Sequence, residues 1–147
     1  MTQAEQMDPR DAAEPSRCVI VVDASLPVGR AANAAAVIAL TMGRKRPELA
    51  GPDLVDGAGA VHPGLISIGI SILGAAGTEL AAVRAKALAR GIEVVDFPAQ
   101  GQETTDYTLF SAEVSRCDAD ALHYVGVGLY GPRKAVGKIV GKYALLG

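Results

Sequence analysis

The stretch Cys18–Lys45, CVIVVDASLPVGRAANAAAVIALTMGRK, decides how the rest of the chain is organised. Its first five residues are apolar without alternation, which is the pattern of a strand buried on both faces of a sheet. A short turn over Leu26–Gly29 then leads into an alanine-rich helix. Three consecutive basic residues at 44–46 follow Gly43. Basic residues interact favourably with the negative, C-terminal end of a helix dipole, so they indicate that the helix ends here. The stretch therefore predicts a central strand joined directly to a helix.

Length and composition indicate one ordinary domain with an aliphatic core. The chain has 147 residues, of which 50% are apolar and none is tryptophan. Residues 1–17 lack an apolar segment, so we predict a flexible polar tail without a signal peptide, followed by a single α/β domain over 18–147. The longest apolar run, 65–76, is too short to span a bilayer. We therefore expect no membrane partner.

Charge and cysteine content narrow the possible functions. The net charge of −2 resides in the tail, so residues 18–147 are neutral overall. A neutral domain argues against general nucleic-acid binding, and the net charge therefore does not support tRNA as a partner. Cys18 and Cys117 form no CxxC motif, and two buried or half-buried free thiols suit a reducing cytoplasm. Neither zinc-site spacing nor a P-loop or GxGxxG motif is present, so we expect no metal and no cofactor.

The remaining pattern predicts alternating strands and helices. We expect strands at 65–73, 92–97 and 122–130, and helices at 79–90, from Thr105 or Asp106 to Cys117, and at 132–141. Leu88 and Tyr107 are placed on the buried faces of their helices. Together with the first unit, these elements predict a mixed, largely parallel sheet of four strands in an α/β domain.

Ligands of open α/β sheets bind at the carboxyl ends of the strands. In this chain those ends carry 23–25, 74–77, 96–105 and 131–132. Arg30 lies in the first turn of the first helix, where a cation costs a few tenths to 1 kcal/mol, and an anionic ligand would offset that cost. The alternative is that Arg30 points into water or pairs with Asp23 or Asp96. Asn33, on the same helix face, either orients a ligand carbonyl or satisfies a neighbouring loop.

These considerations give two sets of candidate residues. The ligand-binding candidates are Ser25, Gly29, Arg30 and Asn33, and the catalytic candidates are Arg30, His62, Asp96 and Thr104. His62 lies in a Pro-Gly loop and is a candidate general base, whereas His123 opens a strand and is interpreted as structural. Gly137 and Gly141, one helical turn apart, predict close contact with this chain's own strand, a second subunit or a ligand.

Several blocks, LPVGRAANAAA, HPG, VVDF and GPRKAVGKIVGKYALL, resemble in the same order the domain-of-unknown-function 2000 family of small bacterial proteins. The blocks cover nearly all of the chain after the tail. That family is uncharacterised, so the resemblance implies a fold without a reaction.

More remotely, the chain is similar to type II peptidyl-tRNA hydrolases, in which the first strand leads through Leu-x-Met-Gly-Lys-Gly-Lys into a helix. Gly29 is kept and Arg30 replaces the first lysine, but three functional positions, a lysine, a glutamine and a histidine, have become Ala32, Ala36 and Ala39. Asp96 and Thr104 or Thr105 match the family's active loop. The ending KIVGKYALL also resembles that family.

The resemblance implies a three-layer α/β/α sandwich with a four-stranded mixed sheet, often paired as a homodimer. It does not carry over the activity, because the lost groups supply charge stabilisation and proton transfer. Three hypotheses follow. The first is binding of a small anionic or carbonyl-bearing ligand at the first helix. The second is a peptidyl-tRNA hydrolase-like esterase using Asp96, Thr104 and Arg30. The third is a non-catalytic homodimeric interaction protein with Gly137 and Gly141 at its contact.

Overall fold

A computed structural model describes residues 15–118 and 122–147. The predicted tail lies outside these ranges up to residue 14, and the first strand begins at Ser16, two residues earlier than expected. The strands are β1 Ser16–Asp23, β2 Leu54–Val55, β3 Val61–His62, β4 Ser71–Ala75, β5 Glu93–Pro98 and β6 Tyr124–Pro132. The helices are α1 Val28–Lys45, α2 Leu80–Ala89, α3 Tyr107–Ser115 and α4 Arg133–Val140.

The main sheet has four strands in the order β4-β1-β6-β5, which confirms the predicted mixed α/β architecture. β1 pairs in parallel with β4, whereas β6 pairs antiparallel with both β1 and β5. The expectation of a largely parallel sheet is therefore wrong, since two of the three pairings are antiparallel. The reason lies in α3, where Phe110 packs against Phe97 near the end of β5, with ring centroids 6.5 Å apart. The chain therefore does not return to the opposite edge of the sheet before β6 begins. For that reason β6 runs antiparallel to β5.

The direction of β6 changes which residues share an edge of the sheet. Tyr124, at the start of β6, lies at the edge where β1, β4 and β5 end. Gly131 and Pro132, expected at that edge, lie at the opposite one, where they pair with Arg17 and Ser16.

Helices cover both faces of the sheet because alternate β1 side chains enter two different apolar clusters. On one face Ile20 and Val22 pack with Ile38 of α1. On the other, Val19 and Val21 pack with residues of α2 and α4, among them Leu80, Val83 and Val136. The predicted burial of β1 on both faces is thereby confirmed.

Several boundaries differ from the sequence prediction for local reasons. The strand expected at 65–73 begins only at Ser71, because Gly69 has a φ of +74° that interrupts the extended backbone. Leu88 is 48% exposed and Tyr107 80% exposed, so neither belongs to a buried face. Cys18 is buried, and burial raises the pKa of its thiol, whereas Cys117 is exposed rather than half-buried.

The C-terminal segment docks against β4. Gly74 N donates a hydrogen bond to Ala144 O at 3.0 Å, and Leu146 N donates to Ile72 O at 2.9 Å. These bonds cover the otherwise free edge of β4. In the parts of the chain that the structure describes, no helix combines the length and the apolar character needed to cross a membrane.

A partly buried ion pair fixes the end of α1 to β5 and gives a testable pH dependence. The hydrogen bond and charge of Arg46 lower the pKa of Glu93, whose side chain is 20% exposed, and Lys45 adds a smaller effect. Because the pKa is lowered in the folded state, the stabilisation is present above the ordinary range of glutamate and is lost as the pH falls through the lowered value. We expect Glu93→Gln to reduce the free energy of unfolding at pH 7 by about 1 kcal/mol.

Urea unfolding at pH 7 and pH 3 measures this effect, and the variant should differ less from the wild type at the lower pH. Glu113→Gln is the matched control, since Glu113 forms an exposed pair with Arg116 one helical turn away. A cost for Glu113→Gln equal to that for Glu93→Gln would contradict the assignment.

Candidate functional site

The edge of the sheet at which β1, β4 and β5 end carries two adjoining recesses. One has a volume of about 440 Å³ and the other of about 540 Å³. Arg30, Gln102 and Glu103 line both, so we treat the two recesses as one rim cleft. The first recess is further lined by the turn after β1, the turn after β4 and the start of β6, and the second by α1 and the loop after β5.

Arg30 occupies the centre of the rim cleft. α1 begins after Pro27 without a side-chain cap, and its first backbone hydrogen bond runs from Ala31 N to Pro27 O at 3.0 Å. The first-turn N–H groups beside Arg30 are therefore not capped by a side chain. Arg30 is exposed and forms no ion pair with any residue of 15–118 or 122–147. Of the alternatives to ligand binding, exposure to water therefore agrees with the structure, and pairing with Asp23 or Asp96 does not.

Asn33 ties α1 to the short helical turn that follows β5. Gln102 Nε2 donates to Arg30 O at 2.7 Å and to Asn33 Oδ1 at 3.1 Å. Asn33 thus takes the predicted role of satisfying a neighbouring loop. Its Nδ2 donors are not used in that contact, so the amide can still donate to a ligand oxygen.

Ser25 is held by the turn after β1. Asp23 Oδ1 accepts hydrogen bonds from Ser25 N at 2.9 Å and from Ser25 Oγ at 2.7 Å. A Cβ on Gly77 would lie 2.5 Å from Asp23 Oδ2, so the glycine allows the carboxylate to lie directly against the turn after β4. The Ser25 hydroxyl is left with acceptor capacity toward the cleft.

The structure brings together most, but not all, of the predicted residues. The rim cleft is lined by Ser25, Gly29, Arg30, Asn33 and Thr104. His62 and Asp96 line neither recess.

The two absent candidates have partners elsewhere. His62 Nε2 lies 2.9 Å from Asp56 Oδ2 in the β2–β3 hairpin, and that contact lowers the pKa of Asp56. Asp96 Oδ2 accepts a hydrogen bond from Arg84 Nε at 2.8 Å, on the side of the sheet covered by α2. Side chains alternate along β5, so Asp96 lies on the opposite face from Val95 and Phe97, which pack toward α1.

The rim cleft also includes polar residues that were not among the sequence candidates, notably Asp23, Gln102, Glu103 and His123. His123 was missed because β6 was expected to be parallel, which places its first residues at the other edge. A glutamine in a polar loop carries no signal by itself, since its partners on α1 are 69 and 72 residues away.

The charges of the rim cleft are mixed. One guanidinium, Arg30, shares it with the carboxylates of Asp23 and Glu103. A polyanion would meet both carboxylates, whereas a small ligand can place one anionic group beside Arg30 and polar atoms beside Asn33. Among the described residues, no three His, Cys, Asp or Glu side chains are grouped so that they could hold a metal ion.

Comparisons with known proteins agree with this architecture. Over residues 16–147 the chain matches the family model described as Protein of unknown function (DUF2000). No curated protein matches it. Among solved structures, the chain is similar to the protein of unknown function Atu0240 from Agrobacterium tumefaciens strain C58, with a TM-score of 0.83 and 22% identity. The match covers 90% of this chain and 98% of that one, and at this identity it shows the fold alone.

Proposed function

The chain belongs to the DUF2000 family of proteins of unknown function, and we propose that it binds a small anionic or carbonyl-bearing ligand in the rim cleft. The observation that carries the proposal is the placement of Arg30. It is an exposed cation without an ion pair among the described residues, in the first turn of a helix that lacks a side-chain cap. An anion beside Arg30 would also interact favourably with the α1 dipole.

The neighbouring groups suit a ligand that carries an anionic group and a carbonyl. Asn33 Nδ2 can donate to the carbonyl while its Oδ1 stays bonded to Gln102. The two carboxylates of the cleft disfavour a ligand with many negative charges and favour one with a single anionic group. N-acetylglycine, with one carboxylate and one amide carbonyl, is therefore a suitable first probe.

Binding explains the residues better than ester hydrolysis does. The hydrolase alternative needs Asp96 beside Arg30 and Thr104, but Asp96 is paired with Arg84 on the face covered by α2. A binding cleft requires no such reacting group. The likeness to the type II peptidyl-tRNA hydrolase fold stays a proposal, supported by the direct passage from β1 into α1 and by the mixed sheet.

Arg30→Ala tests this function. We expect N-acetylglycine to shift the backbone amide signals of Gly29, Arg30 and Asn33 in NMR titrations, and the variant to weaken that binding at least tenfold. The expected loss corresponds to one charge-assisted hydrogen bond. Because a ligand at ten times its Kd stabilises by about 1.4 kcal/mol, the same effect should appear as a thermal shift that the variant loses.

Arg90→Ala is the matched control, since Arg90 is an exposed arginine that lines neither recess. The proposal fails if Arg30→Ala and Arg90→Ala change binding equally, or if N-acetylglycine, acetate and inorganic phosphate all leave the Gly29 and Asn33 signals unmoved. Turnover of N-acetylaminoacyl-tRNA above the buffer rate would instead favour the hydrolase alternative.

A further inference from the structure

Residues 49–67 form a two-stranded ribbon, which we call the arm. Ala50 faces Ile66, Leu54 faces His62 and Val55 faces Val61, so the antiparallel register runs without a shift from base to tip. Backbone bonds close the base, with Gly51 N donating to Leu65 O at 2.8 Å and Ser67 N to Leu49 O at 2.9 Å. The arm includes β2 and β3, which lie in a stretch for which the sequence pattern predicted no strand.

The tip and the middle of the arm are held by specific contacts. At the tip, Asp56 Oδ1 accepts hydrogen bonds from Ala58 N and Ala60 N, both at 2.9 Å. In the middle, a Cβ on Gly64 would overlap Gly51 O, so only glycine allows the two strands to approach as they do. The arm is therefore a regular, hydrogen-bonded hairpin and not an irregular loop.

Four apolar side chains of the arm are more than half exposed among the residues that the structure describes. Leu54, Val55, Val61 and Leu65 are between 54% and 70% exposed. A two-stranded hairpin that stands alone is marginally stable in water, and exposed apolar ribbons favour association. The arm thus has the properties of an element that is completed by a partner.

The outer surface of α1 is also apolar and exposed. No charged residue occurs between Ala31 and Gly43, although a helix with one face in solvent usually carries charges there. Leu40 is 78% exposed, and Ala32, Ala36 and Val37 are exposed beside it. The two alanines allow close approach of another backbone.

The two surfaces adjoin. Ala39 and Gly43 of α1 share a recess with Ala50 and Ile66 at the base of the arm. In the other direction, a groove of about 600 Å³ runs between α1 and the C-terminal segment and is lined mainly by apolar groups, including Val28 and Leu145. The arm and this side of α1 form one apolar surface.

The size of the surface is close to what a stable dimer needs. The six exposed apolar side chains that share it expose roughly 400 Å² together, taking about 60–120 Å² for each fully exposed side chain. They are Val28, Leu40, Val55, Val61, Leu65 and Leu145. A standard interface takes about 800 Å² from each partner, of which somewhat more than half is apolar.

The charges favour a second copy of this chain as the occupant. No lysine or arginine occurs from Pro47 to Val83, and the arm carries Asp53 and Asp56. α1 ends with Arg44 and Lys45, both exposed. The arm is therefore acidic and apolar, and the α1 surface is apolar with a basic end, so the two are complementary. The absence of basic residues from the arm disfavours nucleic acid as its partner.

We propose that the arm of one copy lies on the outer surface of α1 of the other, in a twofold symmetric dimer that makes this contact twice. Val55, Val61 and Leu65, which share one face of the arm, pack on Ala32–Leu40 of the partner subunit. Asp53 then faces Arg44 of the partner subunit. Since the arm leaves the body near Gly43, this pairing favours α1 helices that run side by side in the same direction. The interface differs from the one predicted at Gly137, around which a Cβ would meet nothing within 4 Å in the described part of this chain.

Sedimentation equilibrium at 1–100 µM tests the proposal. We expect a dimer for the full chain, and at least a thirtyfold increase of the dissociation constant for Leu40→Asp and for Val55→Asp. Leu88→Asp, at an exposed leucine of α2, should leave it unchanged. Arg44→Gln and Asp53→Asn should raise the dissociation constant by a smaller factor than the two aspartate variants. That increase should be smaller still in 0.5 M NaCl, because salt screens exposed charges. Asparagine at 53 keeps an acceptor for Gly64 N.

Cross-linking provides a second measurement that does not depend on weakened association. With Cys117 replaced by serine, cysteines at Val55 and Leu40 should form a covalent dimer with a short bifunctional maleimide, whereas cysteines at Val55 and Leu88 should not. A wild-type chain that stays monomeric at 100 µM overturns the proposal. So does a dimer that survives both aspartate variants but is lost on Lys138→Glu, which would locate the contact at α4.

Discussion

Ile38→Ala is expected to lower the free energy of unfolding by about 2–5 kcal/mol, the largest effect of any single substitution considered for this protein. Ile38 is 1% exposed and lies at the centre of the cluster between α1 and the sheet, in contact with the glycines of β6. Its removal leaves a cavity that the sheet cannot fill, because β1 and β6 are fixed by backbone pairing on both sides. Loss of these contacts adds to the lost transfer free energy.

Urea unfolding followed by circular dichroism measures this change. Leu88→Ala is the matched control, since Leu88 is a branched aliphatic residue of a helix but is 48% exposed. We expect the control to cost less than about 1 kcal/mol. Equal losses for the two variants would show that the α1 cluster is not the main core on its face of the sheet.

Gly128→Ala should destabilise the protein by about 1–3 kcal/mol, although alanine is ordinarily tolerated in a strand better than glycine. A Cβ at this position would lie 2.5 Å from Ile38 Cγ2. The β-branched side chain of Ile38 has little freedom at χ1 within a helix, so α1 itself must shift to relieve the contact. The strand and the helix are close because two glycines, Gly126 and Gly128, face α1.

Gly137→Ala is the control, and its expected effect has the opposite sign. A Cβ at Gly137 meets nothing within 4 Å, and alanine in a helix is more favourable than glycine by up to about 1 kcal/mol. Combining Gly128→Ala with Ile38→Ala should cost less than the two losses added together, because the second change removes Cγ2. Strict additivity would contradict the contact.

The sequence located the centre of the fold and part of the lining of the rim cleft because their signals are local. The apolar run at the start of Cys18–Lys45 predicted β1 and its burial, and the misfit of a cation in the first turn identified Arg30. Asp106 is the cap of α3 as one of the two expected alternatives, with its carboxylate accepting from Thr108 N and Leu109 N. Each of these depends on residues within one or two turns of chain.

The sequence-based predictions that were wrong depended on contacts between distant segments. The arm has no strong strand pattern, because its ladder is built on glycines and prolines and is held by Asp53 and Asp56. The resemblance to type II peptidyl-tRNA hydrolases made Asp96 a candidate for a catalytic loop, but Asp96 lies on the other face of the sheet, where it pairs with Arg84. No spacing rule reveals which way a strand side chain faces when the strand's register is unknown.

By itself, then, the sequence determined a buried β1, the helix that follows it and an unusual cation at the start of that helix. Tertiary structure decided the rest, since the antiparallel course of β6 brought His123 to the rim cleft and Gln102 reached back to Asn33 over 69 residues. It also left the arm and the outer surface of α1 uncovered by the residues that the structure describes. The physical reason is that periodicity and capping act over a few residues, whereas strand direction and surface complementarity arise only when remote elements pack together.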